Sequence, residues 1–381
     1  TLSVSDESLR SPSSLPSKIS PWLMLPPTAA GSGCVVHKFY SIAENRVLCF
    51  AGEAKLGFPD GDTELVGSSH GWLALSNKRN NDLFLTNPLS RRRVNLPPIH
   101  KLPIEEQHLS REDFSCVHNV IISCSPNEEN CRAMMIIKAG YALAFCCPGL
   151  STAEWTPIGT HTSIIYSATH KLFFCLIDRR IFDTFEAWDL RDPDSPTMIP
   201  MDYPVIWLHS EEDDQRNEFC HTENSLVEYS GELFFVERFI AESVDSNGCA
   251  FDTHLCYSPK KGWDDSRPYK TMNFNVYKFD PESRSFRFMD SSLDGLVFFI
   301  GRNHAFAIAA ASEYPELKAD SIYYTDVTNT SYAIQKIDYG GHDIGIFSYK
   351  DRTFSPCYYP CDVKGIKVIT PYPIWYTPTP L

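Results

Sequence analysis

Short apolar runs, each stopped by Gly, Asn, Asp or Pro, recur along most of the chain. The clearest block spans residues 67–98. Runs at 71–75 and 83–86 flank a polar link at 76–82, an Asn87-Pro88 turn follows, and a third run at 93–96 stops at Pro97-Pro98. Runs of this length between turn formers predict strands joined by hairpins. A lone meander of three strands cannot bury its faces, so it must stack on other units.

Looser copies of that unit follow. Residues 21–27 anchor the start of the fold, and 37–42 with 46–50 make a first hairpin. Beyond the central block, strands are expected at 117–123, 133–138 and 141–146, closed by Glu154-Trp155-Thr156-Pro157. The scheme returns at 163–166, 171–177 and 184–190, with an Asp192-Pro193-Asp194 turn. It returns again at 225–229, 232–239 and 275–279, ending in Asp280-Pro281 with a closing strand at 285–289. Runs at 295–300, 305–309, 321–325 and 344–349 precede a tail rich in Pro and Tyr. Helical periodicity is confined to a single turn at 316–319.

A spacing of roughly 40–60 residues falls in the range of propeller blades. The prediction is therefore all-β: a β-propeller of about six four-stranded blades, its ring closed by N- and C-terminal strands. The N-terminal strands complete the last blade, since 341–354 alone is too short to be one. A large β-sandwich is the alternative, and regular radial repetition fits the repeats better. Residues 1–20, rich in Ser, Pro and Leu, are expected to be a disordered leader or the remnant of a transit peptide, and 21–381 the propeller.

Composition narrows the partners. The 381 residues are 43% hydrophobic and 13% aromatic, enough for a large core. With 34 basic against 48 acidic residues the formal charge is −14, which repels a nucleic-acid backbone. Thirteen cysteines at irregular spacing point to reduced, mostly buried thiols rather than a disulfide framework. No apolar run reaches the ~18 residues of a membrane-spanning helix.

Candidate chemistry is sparse. Gly67-Ser68-Ser69-His70-Gly71 fits the Gly-x-Ser-x-Gly pattern of a nucleophile elbow, but an elbow needs a helix next, and Trp72 opens a strand. The two glycines instead suit a positive φ or close packing. Cys146-Cys147, Cys220-His221 and Cys357 with Cys361 lack the paired spacing of a zinc site. Asp60-Gly61-Asp62-Thr63-Glu64 lacks the offsets of a calcium loop and reads as a solvated turn. Gly31 and Gly33 lack the third glycine and the helix of a dinucleotide fingerprint. No catalytic, cofactor-binding or metal-ligating residue is expected, and no two carboxylates are placed together.

Surface recognition is left. Loops on a rigid scaffold commonly carry binding, and the polar insertions at 100–112, 209–222 and 241–272 would cover one propeller face. Trp263, flanked by Lys260, Lys261, Asp264 and Asp265, has the make-up of an interface anchor with a charged rim. Arg91, Arg92 and Arg93 are the one concentrated positive charge, either a solvated turn and edge strand or a docking point for an acidic partner. The candidate protein-binding residues are thus Trp263, Arg91, Arg92 and Arg93. His70, His118, His304 and Asp343 are each expected to satisfy a local turn.

Several ordered motifs carry a resemblance. Gly67-Ser-Ser-His-Gly-Trp-Leu-Ala-Leu75, Leu83-Phe-Leu-Thr-Asn-Pro-Leu-Ser-Arg-Arg-Arg93 and Tyr314-Pro-Glu-Leu-Lys-Ala-Asp-Ser-Ile-Tyr-Tyr-Thr-Asp326 resemble the plant KIB-type β-propeller family, long labelled a domain of unknown function. The likeness runs from about Pro21 to the C-terminus. Cys131-Arg-Ala-Met-Met135, Leu143-Ala-Phe-Cys-Cys-Pro-Gly149, Glu154-Trp-Thr-Pro157 and Ala187-Trp-Asp-Leu-Arg-Asp192 resemble its organellar subgroup in particular. So do Gly340-Gly-His-Asp-Ile-Gly-Ile-Phe347 and the stretch through Cys357-Tyr-Tyr-Pro-Cys361.

The resemblance implies a propeller without family catalytic residues. Many members carry an F-box ahead of the propeller and present substrates to a ubiquitin ligase, whereas residues 1–20 are too short and polar for F-box helices. The organellar subgroup is similar in lacking it. The expectation is a non-catalytic protein-interaction module, not an enzyme, with no cofactor, in mitochondria or alternatively plastids. The alternatives are an SCF-type substrate receptor of nucleus or cytoplasm with its F-box missing, and a propeller enzyme acting on a small polar substrate in its central channel. That last reading needs acids or histidines to converge on the channel.

Overall fold

The computed structural model describes residues 10, 19–30, 34–53, 63–77, 79–80, 82–99, 102, 117–137, 142–150, 154–177, 184–201, 219–241, 243–245, 247–250, 257–258, 262–263, 269–310, 314–326, 343–358 and 373–378. Strands β1 (Trp22–Ala29), β2 (Cys34–Ser41) and β3 (Arg46–Glu53) pair antiparallel in chain order. Pro26 and Pro27 sit in β1 where its register with β2 breaks between Leu25 and Thr28, a place where a missing N–H is tolerated. Strands β4 (Thr63–Ser69), β5 (Trp72–Asn77), β6 (Leu83–Asn87) and β7 (Arg92–Asn95) make the next sheet. Two more antiparallel sheets follow. One is β8 (Val117–Ile122), β9 (Ala133–Ile137), β10 (Ala142–Cys146) and β11 (Thr156–Thr160); the other is β12 (Ser163–Ser167), β13 (Leu172–Ile177), β14 (Thr184–Asp189) and β15 (Thr197–Met201).

Strands β16 (Cys220–Tyr229) and β17 (Glu232–Ala241) then form a long hairpin. A small hairpin, β18 (Tyr257–Ser258) and β19 (Gly262–Trp263), lies in the insertion before β20 (Lys270–Asp280) and β21 (Ser285–Phe288). The last group is β22 (Leu296–Ile300), β23 (Phe306–Ala309), β24 (Ser321–Tyr324), β25 (Gly345–Ser348) and β26 (Thr353–Ser355). It joins β16 through one parallel pair, Glu228 with Phe306, so the two groups count as one nine-stranded sheet. Finally β27 (Ile374–Tyr376) pairs antiparallel with β1, Trp22 facing Tyr376.

The first strand of each sheet lies against the first strand of the next. Ser69 Oγ on β4 accepts from the Ile122 N–H on β8 at 3.0 Å, and Ser163 Oγ on β12 accepts from Leu226 N–H on β16 at 3.4 Å. The Tyr376 hydroxyl on β27 donates to Gly71 O at 3.0 Å. First strands therefore line an axis and last strands face out. Burial follows: β9 and β22 are buried throughout, whereas β7, β11 and β15 are largely exposed. Six large apolar clusters fill the gaps between neighbouring sheets. The gap between the N-terminal sheet and the β22 group, holding Leu23, Phe299, Tyr323 and Trp375, completes the circuit. The fold is an all-β propeller.

The ring is closed by strands from both ends, as the repeat pattern predicts, but through a different segment. The stretch at 344–349 pairs with β24 as β25, and the partner of the N-terminal strands comes from the Pro- and Tyr-rich tail as β27. A three-residue strand between prolines shows too little alternation to be read from sequence. Strands β4 and β15 are likewise additions, and 316–319 is turn and bend rather than helix. Ten cysteines fall among the described residues, several of them buried, and burial pushes the Cys131 thiol up to about 12.

The tight turns explain the glycines. His70 (φ 50°) with Gly71 (φ 76°), and Ser230 (φ 51°) with Gly231 (φ 89°), are two-residue hairpin loops with both φ positive. That is the type I′ geometry that matches strand twist, and glycine adopts it without a Cβ penalty. Gly67 serves the other need. Its strand bulges between Leu65 and Gly67, and a Cβ there would lie 2.1 Å from the Val120 carbonyl oxygen on β8.

Candidate functional site

A short segment crosses the middle of the propeller. Residues 301–306 leave β22, and each of several groups meets the innermost strand of a different sheet. Gly301 allows the exit, since a Cβ would lie 2.0 Å from Thr325 Oγ1. Arg302 donates through Nη2 to His118 O on β8 at 2.8 Å and lies 3.6 Å from Glu64 Oε1 on β4. Asn303 Nδ2 donates to the carbonyls of Phe299 and His304, at 3.2 and 2.9 Å, and locks the bend. His304 donates its N–H to Ser68 O on β4 at 2.7 Å, and its Nε2 accepts from the Tyr166 N–H on β12 at 3.0 Å. Phe306 then pairs with Glu228 on β16. The crossing thus touches β4, β8, β12 and β16.

At the end of the axis where β4, β8, β12 and β16 begin, charged side chains gather. Arg238 on β17 is 2% exposed and fixed on three sides. Its Nε donates to Thr271 Oγ1 and its Nη1 to Thr325 O, both at 2.8 Å, while Nη2 lies 3.5 Å from Asp343 Oδ2. Its guanidinium also sits 5.0 Å from the Tyr324 ring. Asp326, which accepts from the Tyr269 hydroxyl, and Asp343 are 1% and 2% exposed. Burial pulls the Arg238 pKa down, but Asp343, Glu223 and Asp326 outweigh it and hold the group firmly charged. Asp343 moves up, because burial outweighs the stabilisation from Arg238 and Thr271.

Glu223 is the unusual member. The residue as a whole is half-buried, yet its Oε2 is enclosed and has no hydrogen-bond partner among the described residues. The environment of the carboxyl, rather than the residue average, sets its proton affinity. Burial pushes it up to about 7; Arg238 and Arg302 pull the other way, and Asp326 and Asp343 add to the rise. Glu64, Glu223, Asp326 and Asp343 therefore surround two arginines, a formal excess of two negative charges. Among the described residues no group of three or more His, Cys, Asp or Glu could hold a metal ion.

These placements correct several expectations. Glu64 is no part of a solvated turn: it is 6% exposed inside β4, facing Arg302, while Asp60, Gly61 and Asp62 lie outside the described residues. His304 and Asp343 do not serve local turns, since their partners Tyr166, Arg238 and Thr271 come from distant strands. His70 faces His304 with ring centroids 5.8 Å apart, and His118 contributes its carbonyl to Arg302. Carboxylates not placed together by sequence are brought together by β16, β24 and the approach to β25. The signal of this cluster was faint: charged residues inside an otherwise apolar strand, as Glu237 and Arg238 are within β17.

The candidate docking residues are scattered. Arg91 is an exposed turn residue with φ 57°, and Arg92 and Arg93 are exposed on β7, the outer strand of its sheet. Arg93 lays its guanidinium 3.7 Å over the Phe84 ring and donates to Asn95 Oδ1 at 3.2 Å. Trp263 pairs through its backbone with Tyr257 in a different sheet's insertion, and its side chain lies outside the described residues. Residues 100–112 (Leu102 apart), 209–218, half of 241–272 and Gly31 and Gly33 also lie outside them.

Radial sheets, a shared axis and a closing strand from each terminus define a β-propeller. The sequence matches the family described as KIB1-4 beta-propeller over residues 39–348, and the chain belongs to that family. No curated protein matches it. Among solved structures it is similar to Kuenenia stuttgartiensis hydrazine synthase, at 9% identity over 78% of this chain and 73% of that one, with a TM-score of 0.29. It is also similar to YCF48 from Cyanidioschyzon merolae, at 12% identity over 73% and 87%, with a TM-score of 0.28. Neither score carries an argument beyond the likeness itself.

Proposed function

We propose that the chain is a non-catalytic, six-bladed propeller that binds a partner protein in mitochondria through the end of the ring bearing its long insertions. The observation that carries the reading is the 301–306 crossing. It occupies the axis and ties up Glu64, Arg302, Ser68 and Tyr166 in bonds between blades, which makes the centre a structural hub. The stems of the insertions at 100–112, 209–222 and 241–272 all leave strands at the same end, which suits a broad recognition surface. Trp263 is the proposed anchor there. Arg91 and Arg92, in and after the β6–β7 turn, lie at the opposite end and would serve a separate acidic contact.

A second reading, an enzyme acting on a small polar substrate, is favoured by one observation: the raised proton affinity of Glu223, pushed up to about 7, beside an enclosed Oε2 with no partner among the described residues. Against it, Arg238 spends its donors on Thr271, Thr325 and Asp343.

Proximity labelling in plant cells, with the full-length protein tagged at its C-terminus, tests the proposal. Recovery of mitochondrial matrix proteins, reduced by Trp263→Ala, supports it. Plastid proteins move the partner to another organelle. A ubiquitin-ligase adaptor together with cytosolic or nuclear proteins sinks the organellar binder in favour of a substrate receptor.

A further inference from the structure

The hairpin of β8 and β9 brings two cysteines face to face. Ile122 pairs with Ala133, and one step further out the Ser123 N–H donates to Arg132 O at 2.9 Å. By alternation the next pair outward, Cys124 with Cys131, falls on a non-hydrogen-bonded rung, and the Cys131 N–H turns to Glu128 O at 3.0 Å. Residues opposite each other on such a rung have Cα atoms about 4.5 Å apart. That lies inside the roughly 4.4–6.8 Å that a disulfide spans.

The side chains agree with the backbone. The Cys131 Sγ–H donates to Cys124 O at 3.3 Å, and the two thiols also act on each other directly. A bond from Glu128 N–H to Ser125 O at 3.0 Å closes the turn between them, so the two ends are held together before any bond joins the sulfurs. Arg132, the next residue, ties this hairpin to the following sheet: its Nε donates to Leu190 O at 2.7 Å and its Nη2 to Arg191 O at 2.8 Å. Cys146 is also near Cys131, but it pairs with Ala133, two positions further along β9.

We propose that Cys124 and Cys131 form a reversible cross-strand disulfide, with a small-molecule disulfide such as oxidised glutathione as the oxidant, and that the bridge staples the β8–β9 hairpin beside Arg132. Cys124 is half-buried and Cys131 is 1% exposed, so Cys124 is the attacking thiol and Cys131 the resolving one. The Cys124 thiolate attacks one sulfur of oxidised glutathione, and a glutathione thiolate leaves. Cys131, deprotonated in turn, attacks Cys124 Sγ in the mixed disulfide and expels the second glutathione. Two electrons and two protons pass from the cysteine pair to the two glutathione thiols. Burial raises both thiols, Cys131 to about 12, and on Cys124 the Ser123 hydroxyl and Arg132 act against the rise. Raised thiols are slow nucleophiles, so exchange takes hours rather than seconds. None of this depends on the partner protein.

Incubation of the folded full chain with oxidised glutathione, followed by alkylation and peptide mapping, tests the proposal. Cleavage after Glu128 or Glu129 separates the two cysteines, and fragmentation distinguishes Cys124 from Cys116, which shares its peptide. One link, Cys124 to Cys131, is expected; it is lost on adding dithiothreitol and persists in Cys146→Ala. The closed loop runs from 124 to 131, and oxidation should raise Tm by about 3 °C. Cys124→Ser, at the half-buried position, should abolish both the link and the rise. The proposal is overturned if both thiols stay free, if Cys124 stops at the glutathione adduct, or if Cys131 links to Cys146 instead. A link that forms only in denaturant, or one that leaves Tm unchanged, overturns it as well.

Discussion

Gly67→Ala isolates the cost of bringing two blades together. The position is a β-bulge on β4 with a backbone that an L-residue can adopt, so no φ penalty accompanies the change. The added methyl would lie 2.1 Å from the Val120 carbonyl oxygen and 3.0 Å from Asn119 Oδ1. Reaching an ordinary contact requires β4 and β8 to part by about 1 Å, and the obstacle is backbone, which cannot turn aside as a side chain can. Val120 is also paired with Met135 on β9, so the shift is passed to a second strand. Overpacking of this kind costs about 1–3 kcal/mol, and a backbone clash belongs at the upper end. An unfolding entropy of about 0.8 kcal/mol/K for a chain of this length converts ~3 kcal/mol into a fall of about 4 °C in Tm. Gly295→Ala is the control: φ is +75° but nothing lies within 4 Å, so it should cost only about 1 kcal/mol of backbone strain. Differential scanning fluorimetry of parent and both variants decides the matter. If Gly67→Ala melts within a degree of the parent, or Gly295→Ala is the more damaging of the two, close blade approach is not what the glycine provides.

Glu223 makes stability depend on pH. Its folded-state pKa, raised from 4.5 to about 7, means that the folded protein holds a proton that the unfolded chain gives up. The resulting stabilisation, at most about 3 kcal/mol, is present below pH ~4.5 and is lost as pH rises through 7. Glu223→Gln, which mimics the protonated acid, should flatten that decline in urea titrations at pH 5 and 8; an unchanged slope counts against the burial. Arg238→Ala should cost about 3–5 kcal/mol by leaving Asp343 buried and unpaired, and adding Asp343→Asn should restore part of the loss. Equal damage in the single and double variants would show that the two do not act as a pair. Tyr376→Phe, which removes a buried hydroxyl from Gly71 O, should cost about 1–2 kcal/mol in the same titrations. A neutral result would mean that the hydroxyl adds nothing to ring closure.

How far the sequence discloses the fold depends on length and contrast. Leu83–Asn87 and Leu172–Ile177 could be read because a short strand opening on a run of three to six apolar residues between turn formers has few other meanings. Trp72 correctly argued against a nucleophile elbow, since a strand follows Gly71. Thr197–Met201 escaped because an outer strand facing solvent shows no burial period, and Ile374–Tyr376 because three residues cannot establish one. The centre was harder still. The bond between His304 and Tyr166 spans 138 residues, and that between Arg302 and His118 spans 184. No local spacing encodes such pairs; they follow from which strands the ring places side by side. The docking candidates Trp263, Arg91, Arg92 and Arg93 were found by composition alone, and composition does not bring them together.

The shared N- and C-terminal sheet sets a schedule for synthesis. Strands β1, β2 and β3 leave the ribosome before the rest of the ring, yet the inner edge of β1 has no partner until Ile374–Tyr376 appear, 345 residues after Ala29. At about 5–20 residues per second this is a wait of roughly 20 s to a minute. Throughout it, Trp22, Leu23, Met24 and Leu25 present an apolar strand edge of the kind that pairs with other chains. Of the sheets in the ring, the one built on β1 therefore waits longest for its last strand and carries an open apolar edge for the whole of that wait.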